Sequence, residues 1–256
     1  MLSSKGSFLK GTINGFGLCA ASLGLLLLTS HAAMSQASKE TPPRTSGRSG
    51  GTRGCEAREA IASTLPALML LTPNQTAAKI TANSPTFAWF IRDRTPQPLT
   101  FRLYRYEPNS QTTRLVMQDD RLISKPGIMV MSLPQPQLTV GQRYLWQVEV
   151  ICDPNRPSSN VFAEADVEVV TTDPTLATKL NTASSPRDRA NLYLSAGLWH
   201  NALKLMLVGD RPTNAQSPTA QSSTPNQQAI DLLRQMAISD VELKSLKMSS
   251  IHQLHR

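Results

Sequence analysis

Few side chains in this 256-residue sequence could make or break bonds, and their spacing decides what they could do. His200 sits inside a helical pattern and reads as a surface or packing residue before a general base. His252 and His255 share one end of a helical stretch, and a pair alone falls short of the ligand count of a stable metal site. Asp119 and Asp120 are adjacent, so their carboxyls point apart and read as a turn. Glu164, Asp166 and Glu168 alternate along one strand and read as an outer face, whereas polymer hydrolysis needs two carboxylates opposed across a cleft. No HExxH helix or GxxxxGK phosphate loop occurs. The sequence thus predicts no catalytic residue, no metal site and no cofactor.

Two polar clusters remain. CDPNRPS at 152–158 puts Asp153, Asn155 and Arg156 on a loop after a strand, which fits a recognition loop on a rigid scaffold. The plainer alternative is that Asp153 and Asn155 cap a proline-rich turn anchored by Cys152. Arg92-Asp93-Arg94 reads as a solvated loop rim.

The cysteines depend on the compartment. Residues 1–33 carry Lys5 and Lys10, then the apolar run FGLCAASLGLLLL, then TSHAAM with Ser30 and Ala32 at signal-peptidase spacing. That pattern predicts a cleaved secretory signal, with an uncleaved membrane anchor as the alternative. The apolar run is short of the ~20 residues a permanent span needs, and no later stretch is apolar enough for one. Cys19 leaves with the signal. Cys55 and Cys152 then remain in an oxidising compartment and read as one disulfide, the alternative being two separate buried thiols. Signal removal lowers the net charge of +8 by two, leaving a basic exported protein in the periplasm or outside the cell. Arg44, Arg48, Arg53 and Arg58 lack the interleaved aromatics that stack bases, so nucleic acid is not the expected partner.

The elements that would position these residues follow from periodicity. Residues 34–54 are rich in Ser, Thr, Pro and Gly and predict a disordered leader. Residues 55–172 predict an antiparallel β-sandwich of immunoglobulin-like or fibronectin-like size, with strands at 65–71, 86–92, 99–107, 113–118, 127–133, 142–153 and 162–171. In the clearest strand Tyr144, Trp146, Val148, Val150 and Cys152 share an inner face, while Arg143, Gln147 and Glu149 look outward. Phe87, Trp89 and Ile91 share a side in another. Polar outer faces and apolar inner ones are the expectation. Residues 173–208 predict a helical hairpin capped by Ser185 and Pro186 and turned at Gly197. A polar linker follows at 209–228. The last segment, 229–256, predicts a short amphipathic helix and a fraying helical end.

The hairpin RANLYLSAGLWHNALKLM resembles the core of a tetratricopeptide repeat at Ala190, Tyr193, Gly197, Trp199 and Ala202. Pro186 departs from that pattern, and a lone unit is better read as packing on its own sandwich. The chain as a whole resembles the domain of unknown function 928 family of cyanobacterial exported proteins. The blocks that carry the resemblance are GTRGC, LMLLTP, SPTFAWFI, PGIMVMSLP, VGQRYLWQVEVICDPNRPS and RDRANLYLSAGLWHNAL, in that order over 51–208. The resemblance implies secretion, a sandwich with appended helices and a cysteine pair, and implies no reaction. The function expected is that of a non-enzymatic interaction or structural component of the cell envelope. Its partner would be a protein or an envelope polymer. A hydrolase of envelope polymers and a membrane-tethered accessory protein stand as alternatives.

Overall fold

The computed structural model describes residues 48–50, 54–56, 66–73, 77–82, 85–108, 112–133, 138–209, 224–236 and 238–254. All lie within the compact unit Thr41–Arg256. The signal segment, the leader up to residue 47 and linker residues 210–223 fall outside the described residues.

The strands are β1 (Arg48–Gly50), β2 (Leu68–Leu70), β3 (Ala78–Thr81), β4 (Thr86–Ile91), β5 (Pro98–Tyr106), β6 (Thr113–Ile123), β7 (Gly127–Ser132), β8 (Arg143–Val150) and β9 (Val161–Val170). Helices α1 (Pro174–Thr182), α2 (Pro186–Ser195), α3 (Trp199–Val208), α4 (Gln227–Leu233) and α5 (Asp240–Lys247) follow, and β10 (Ile251–Leu254) ends the described chain. The larger sheet runs β1-β9-β8-β5-β6, with β3 also paired to β9. The smaller runs β10-β7-β4-β2.

Alternation builds the first core. Tyr144, Trp146, Val148 and Val150 of β8 face Phe87 and Trp89 of β4 and Met129 and Met131 of β7. Phe87 stands 5.0 Å from Trp146 and 5.3 Å from Phe101, ring centre to ring centre. Each large side chain so buried contributes roughly 1.5–3 kcal/mol.

The second face of the smaller sheet corrects the expectation of polar outer faces. All six residues of β4 are buried, because Ala88 and Phe90, with Ile128 and Val130 of β7, pack under a helical layer. That layer supplies Trp199, Leu203 and Met206 from α3, Ile230 and Leu233 from α4, and Leu246 from α5. The molecule is therefore sheet, sheet, helices. TFAWFI and GIMVMS are nearly unbroken apolar runs because both faces of their strands are covered. The hairpin does form: Ser185 accepts from the Asp188 N–H, and Gly197 takes φ 73° at the turn. Its second helix packs on the smaller sheet.

Pairing departs from a purely antiparallel sandwich twice. β3 lies parallel to β9, and β10 lies parallel to β7. β10 also corrects the helical ending: the chain leaves α5 and returns as an edge strand, its Ser250 carbonyl accepting from the Ile128 N–H at 2.8 Å. β1 forms where a disordered leader was expected, antiparallel to β9. Asp119 and Asp120 lie within β6, not in a turn. The ladder slips there, with Leu99 opposite Leu122 but Phe101 opposite Asp119, and the Asp119 side chain is buried.

Candidate functional site

At one pole, Cys55 and Cys152 are bonded, with Cα atoms 5.0 Å apart and a sequence separation of 97. Asp93 holds the same junction. Its Oδ2 accepts from the Cys55 N–H at 2.7 Å, and its Oδ1 accepts from Arg92 Nη2, also at 2.7 Å. Glu56 answers from the other side, accepting through Oε1 from the Arg94 and Thr95 N–H groups, and hydrogen bonds from the Thr95 side chain and backbone hold its carboxyl below its ordinary range. Arg92-Asp93-Arg94 is thus more than a solvated rim, since the burial of Asp93 and its backbone bonds make it a clasp for the entering chain.

The loop after β8 closes on its own first residue. Asp153 Oδ1 accepts from the Asn155 N–H at 2.9 Å, and the Asp153 carbonyl accepts from the Arg156 N–H at 3.0 Å. Asn155 and Arg156 are exposed beside the disulfide. Asp153, Asn155 and Arg156 therefore form a closed turn at the pole, held by Cys152.

His200 is fully buried between the two cores, its ring among Phe87, Trp146 and Trp199. Nδ1 lies 3.0 Å from the Thr86 carbonyl, which can only accept, so the proton sits on Nδ1. Nε2 then accepts from the Thr72 hydroxyl at 3.3 Å. Burial pushes its pKa down to about 4. A neutral ring with both nitrogens engaged by the fold joins helix α3 to β4. It is a packing residue, in keeping with the sequence. His252 gives Nε2 to the Pro126 carbonyl at 3.0 Å, which docks β10, and His255 lies outside the described residues.

The acidic alternation lies on the outer face of the larger sheet. Glu164 faces Gln147 across the β8–β9 ladder and Arg102 faces Gln147 across β5–β8, so the three form a row. Arg102 bonds Gln147 Oε1 at 3.0 Å, Gln118 Oε1 at 3.3 Å and the Glu149 carboxylate, while Gln147 donates to Glu164 at 3.2 Å. A second group follows along the strands. Arg143 pairs with Asp166 at 2.7 Å, sits 5.0 Å over the Tyr106 ring, and Tyr106 donates its hydroxyl to Asp166 at 2.7 Å. Burial and that hydrogen bond to the carboxylate push the Tyr106 hydroxyl above its ordinary range. Tyr104, half-buried, lies across from Leu145, which lies across from Asp166.

Among the described residues no group of three or more His, Cys, Asp or Glu converges as a metal site, and no helix is long and apolar enough to cross a membrane. The outer face instead presents planar amides, guanidinium groups and tyrosine rings in rows, which is chemistry for recognition by hydrogen bonding and stacking. Arg143, Gln147 and Glu149, and the series Glu164, Asp166 and Glu168, were visible as outward alternations. Arg102, Tyr104 and Tyr106 carry the same period-two signal inside the run 99–107. What periodicity could not supply was that β5, β8 and β9 lie side by side.

Residues 48–246 match the family described as Domain of Unknown Function (DUF928). The chain belongs to that family. The match begins at β1 and ends in α5, so it takes in both sheets except β10, and nearly all of the helical layer. No curated protein sequence matches this DUF928 chain. Among solved structures, a lytic polysaccharide monooxygenase important for chitin utilisation in Cellvibrio japonicus is 15% identical at a TM-score of 0.28, over 39% of this chain and 58% of that one. The AA10 lytic polysaccharide monooxygenase from Streptomyces lividans is 18% identical at a TM-score of 0.27, over 48% of this chain and 76% of that one. Likeness at this level carries no argument about fold or activity.

Proposed function

We propose that this DUF928 protein is an exported, non-enzymatic component of the cell envelope that docks on an envelope polymer through the outer face of its larger sheet. The observation that carries this reading is the hydrogen-bonded array Gln118–Arg102–Gln147–Glu164, with Tyr104 beside it, on a sheet face that no described element covers. The smaller sheet has both faces buried, so it has no comparable surface to offer. The Cys55–Cys152 bond supports an oxidising compartment. Asp153, Asn155 and Arg156 would then act as a rim at the pole of the docked surface.

Co-sedimentation with the isolated polysaccharide fraction of the envelope tests this. The wild-type chain is expected in the pellet, and a double variant, Tyr104→Ala with Gln147→Ala, is expected to bind about tenfold more weakly. Both substitutions fall on half-buried outward side chains, so the melting temperature should hold within a few degrees. Equal sedimentation of the two proteins would overturn the assignment of the face. A wild-type chain left in the supernatant would overturn the polymer.

A further inference from the structure

One line of side chains on the outer face runs off the sheet edge into a cleft. Glu168 of β9 is flanked by Arg143 of β8 on one side and Lys79 of β3 on the other, in register. Beyond Arg143 stands Tyr106, beneath the guanidinium. The row is therefore aromatic, cation, anion, cation. Its Lys79 end opens into a cleft of about 440 Å³ between β3 and the turn joining α2 to α3, lined by Lys79, Arg143 and Glu168 together with Pro73, Ala77 and Gly197. Gly197 keeps the turn in the left-handed region at φ 73°, and the Lys79 stem passes beneath it, with Cδ 3.8 Å from the place a Cβ would take.

We propose that this cleft binds a carboxylate-bearing sugar unit. The volume lies in the range of small-molecule sites and accommodates one or two pyranose rings. Lys79 and Arg143 bring two cations to the lining beside Glu168, and Arg143 is already paired with Asp166. Arg143 already gives Nη2 to Asp166 and rests on Tyr106, so its guanidinium plane is fixed before any ligand arrives. Fixed planar donors suit a carboxylate, and Lys79 adds a mobile second cation. Lys79 and Glu168 have no ion-pair partner among the described residues. Glu168 is thus available to accept from ligand hydroxyls. It would repel a bare phosphate or sulfate, which offers no donor in return. The small apolar walls at Pro73 and Ala77 match the C–H face of a sugar ring. A neutral sugar would leave the Lys79 ammonium without an ion-pair partner.

This inference rests on the polymer-docking reading, which it deepens by naming a monomer, and the experiment separates the two. Calorimetric titration of the full mature chain with sodium glucuronate is expected to show saturable binding, with glucose and acetate each about tenfold or more weaker. Lys79→Met, at an exposed position, is expected to weaken glucuronate about tenfold without moving the melting temperature. Glu168→Gln should narrow the preference for glucuronate over acetate. Oligogalacturonate distinguishes the sources: tighter binding than the monomer points to a polysaccharide chain, equal binding to a free sugar acid. No binding of glucuronate, equal binding of glucose, or full binding by Lys79→Met would overturn the site. Polymer co-sedimentation that persists in such a case would leave the docking reading intact. Lys79-dependent glucuronate binding without co-sedimentation would leave the site and remove the docking.

Discussion

His200 donates through Nδ1 to the Thr86 carbonyl from a position with almost no solvent exposure, and its pKa near 4 follows from that burial. A depressed pKa means that the unfolded chain takes up the proton first. Stability is then complete above the ordinary histidine value of 6.5 and is lost as pH falls from there towards about 4. Between pH 7.5 and 4.5 the expected loss is about 2–3 kcal/mol, read from urea unfolding. His200→Gln should be less stable at pH 7.5 and should flatten the pH dependence. A wild-type protein equally stable at both pH values would contradict the buried neutral ring. The carboxyls of Glu56, Asp173 and Asp188 are held below their ordinary ranges and so titrate beneath this window. At the same scale, the Cys55–Cys152 bond closes a loop whose constraint on the unfolded chain is worth roughly 4–5 kcal/mol in the chain-entropy picture. Cys152 was legible as an inward position at the end of an alternating strand. Its clasp was not, because Asp93 reads from sequence as one more charge in a loop.

Among the elements, β10 depends on a single close approach. Gly127 opens β7 at φ 113°, and a Cβ there would strike the Ser250 carbonyl that accepts from Ile128. Gly127→Ala should therefore cost about 2–3 kcal/mol in urea unfolding, combining backbone strain with loss of the parallel edge pairing. Amide exchange should also speed up across 251–254. Unchanged stability and exchange would mean that β10 does not hold the end of the chain. The sequence concealed β10 because IHQL has four residues, no β-branched run beyond Ile251, and a helical pattern immediately before it. β3 was hidden in the same way, since AKIT carries an exposed lysine at its second position. Both pair in parallel with strands distant in the chain, and such pairing leaves no turn signal. By contrast β8 and β9 were legible along most of their lengths, because one buried face imposes strict alternation. The alternation in TFAWFI identified the inner side of β4. Phe90 and Ala88, also apolar, were the unread sign that something covers the other side.

At the scale of the molecule, three layers leave one sheet face without a described cover, and it carries the hydrogen-bonded rows. The far side of the helical layer is the natural control. Val241 and Met248 on and just after α5 are 54% and 73% exposed, apolar, and separated from the outer sheet face by both cores. The family match spans both sheets and the helices, so the proposed docking surface lies within the matched region. The most direct measurement is hydroxyl-radical footprinting of the mature chain with and without the isolated envelope polysaccharide. The account predicts protection of Tyr104, Leu145 and Phe162 on the outer face, with Val241 and Met248 modified equally in both samples. Protection of Val241 and Met248 with Tyr104 unchanged would place the contact on the helical layer and contradict the account.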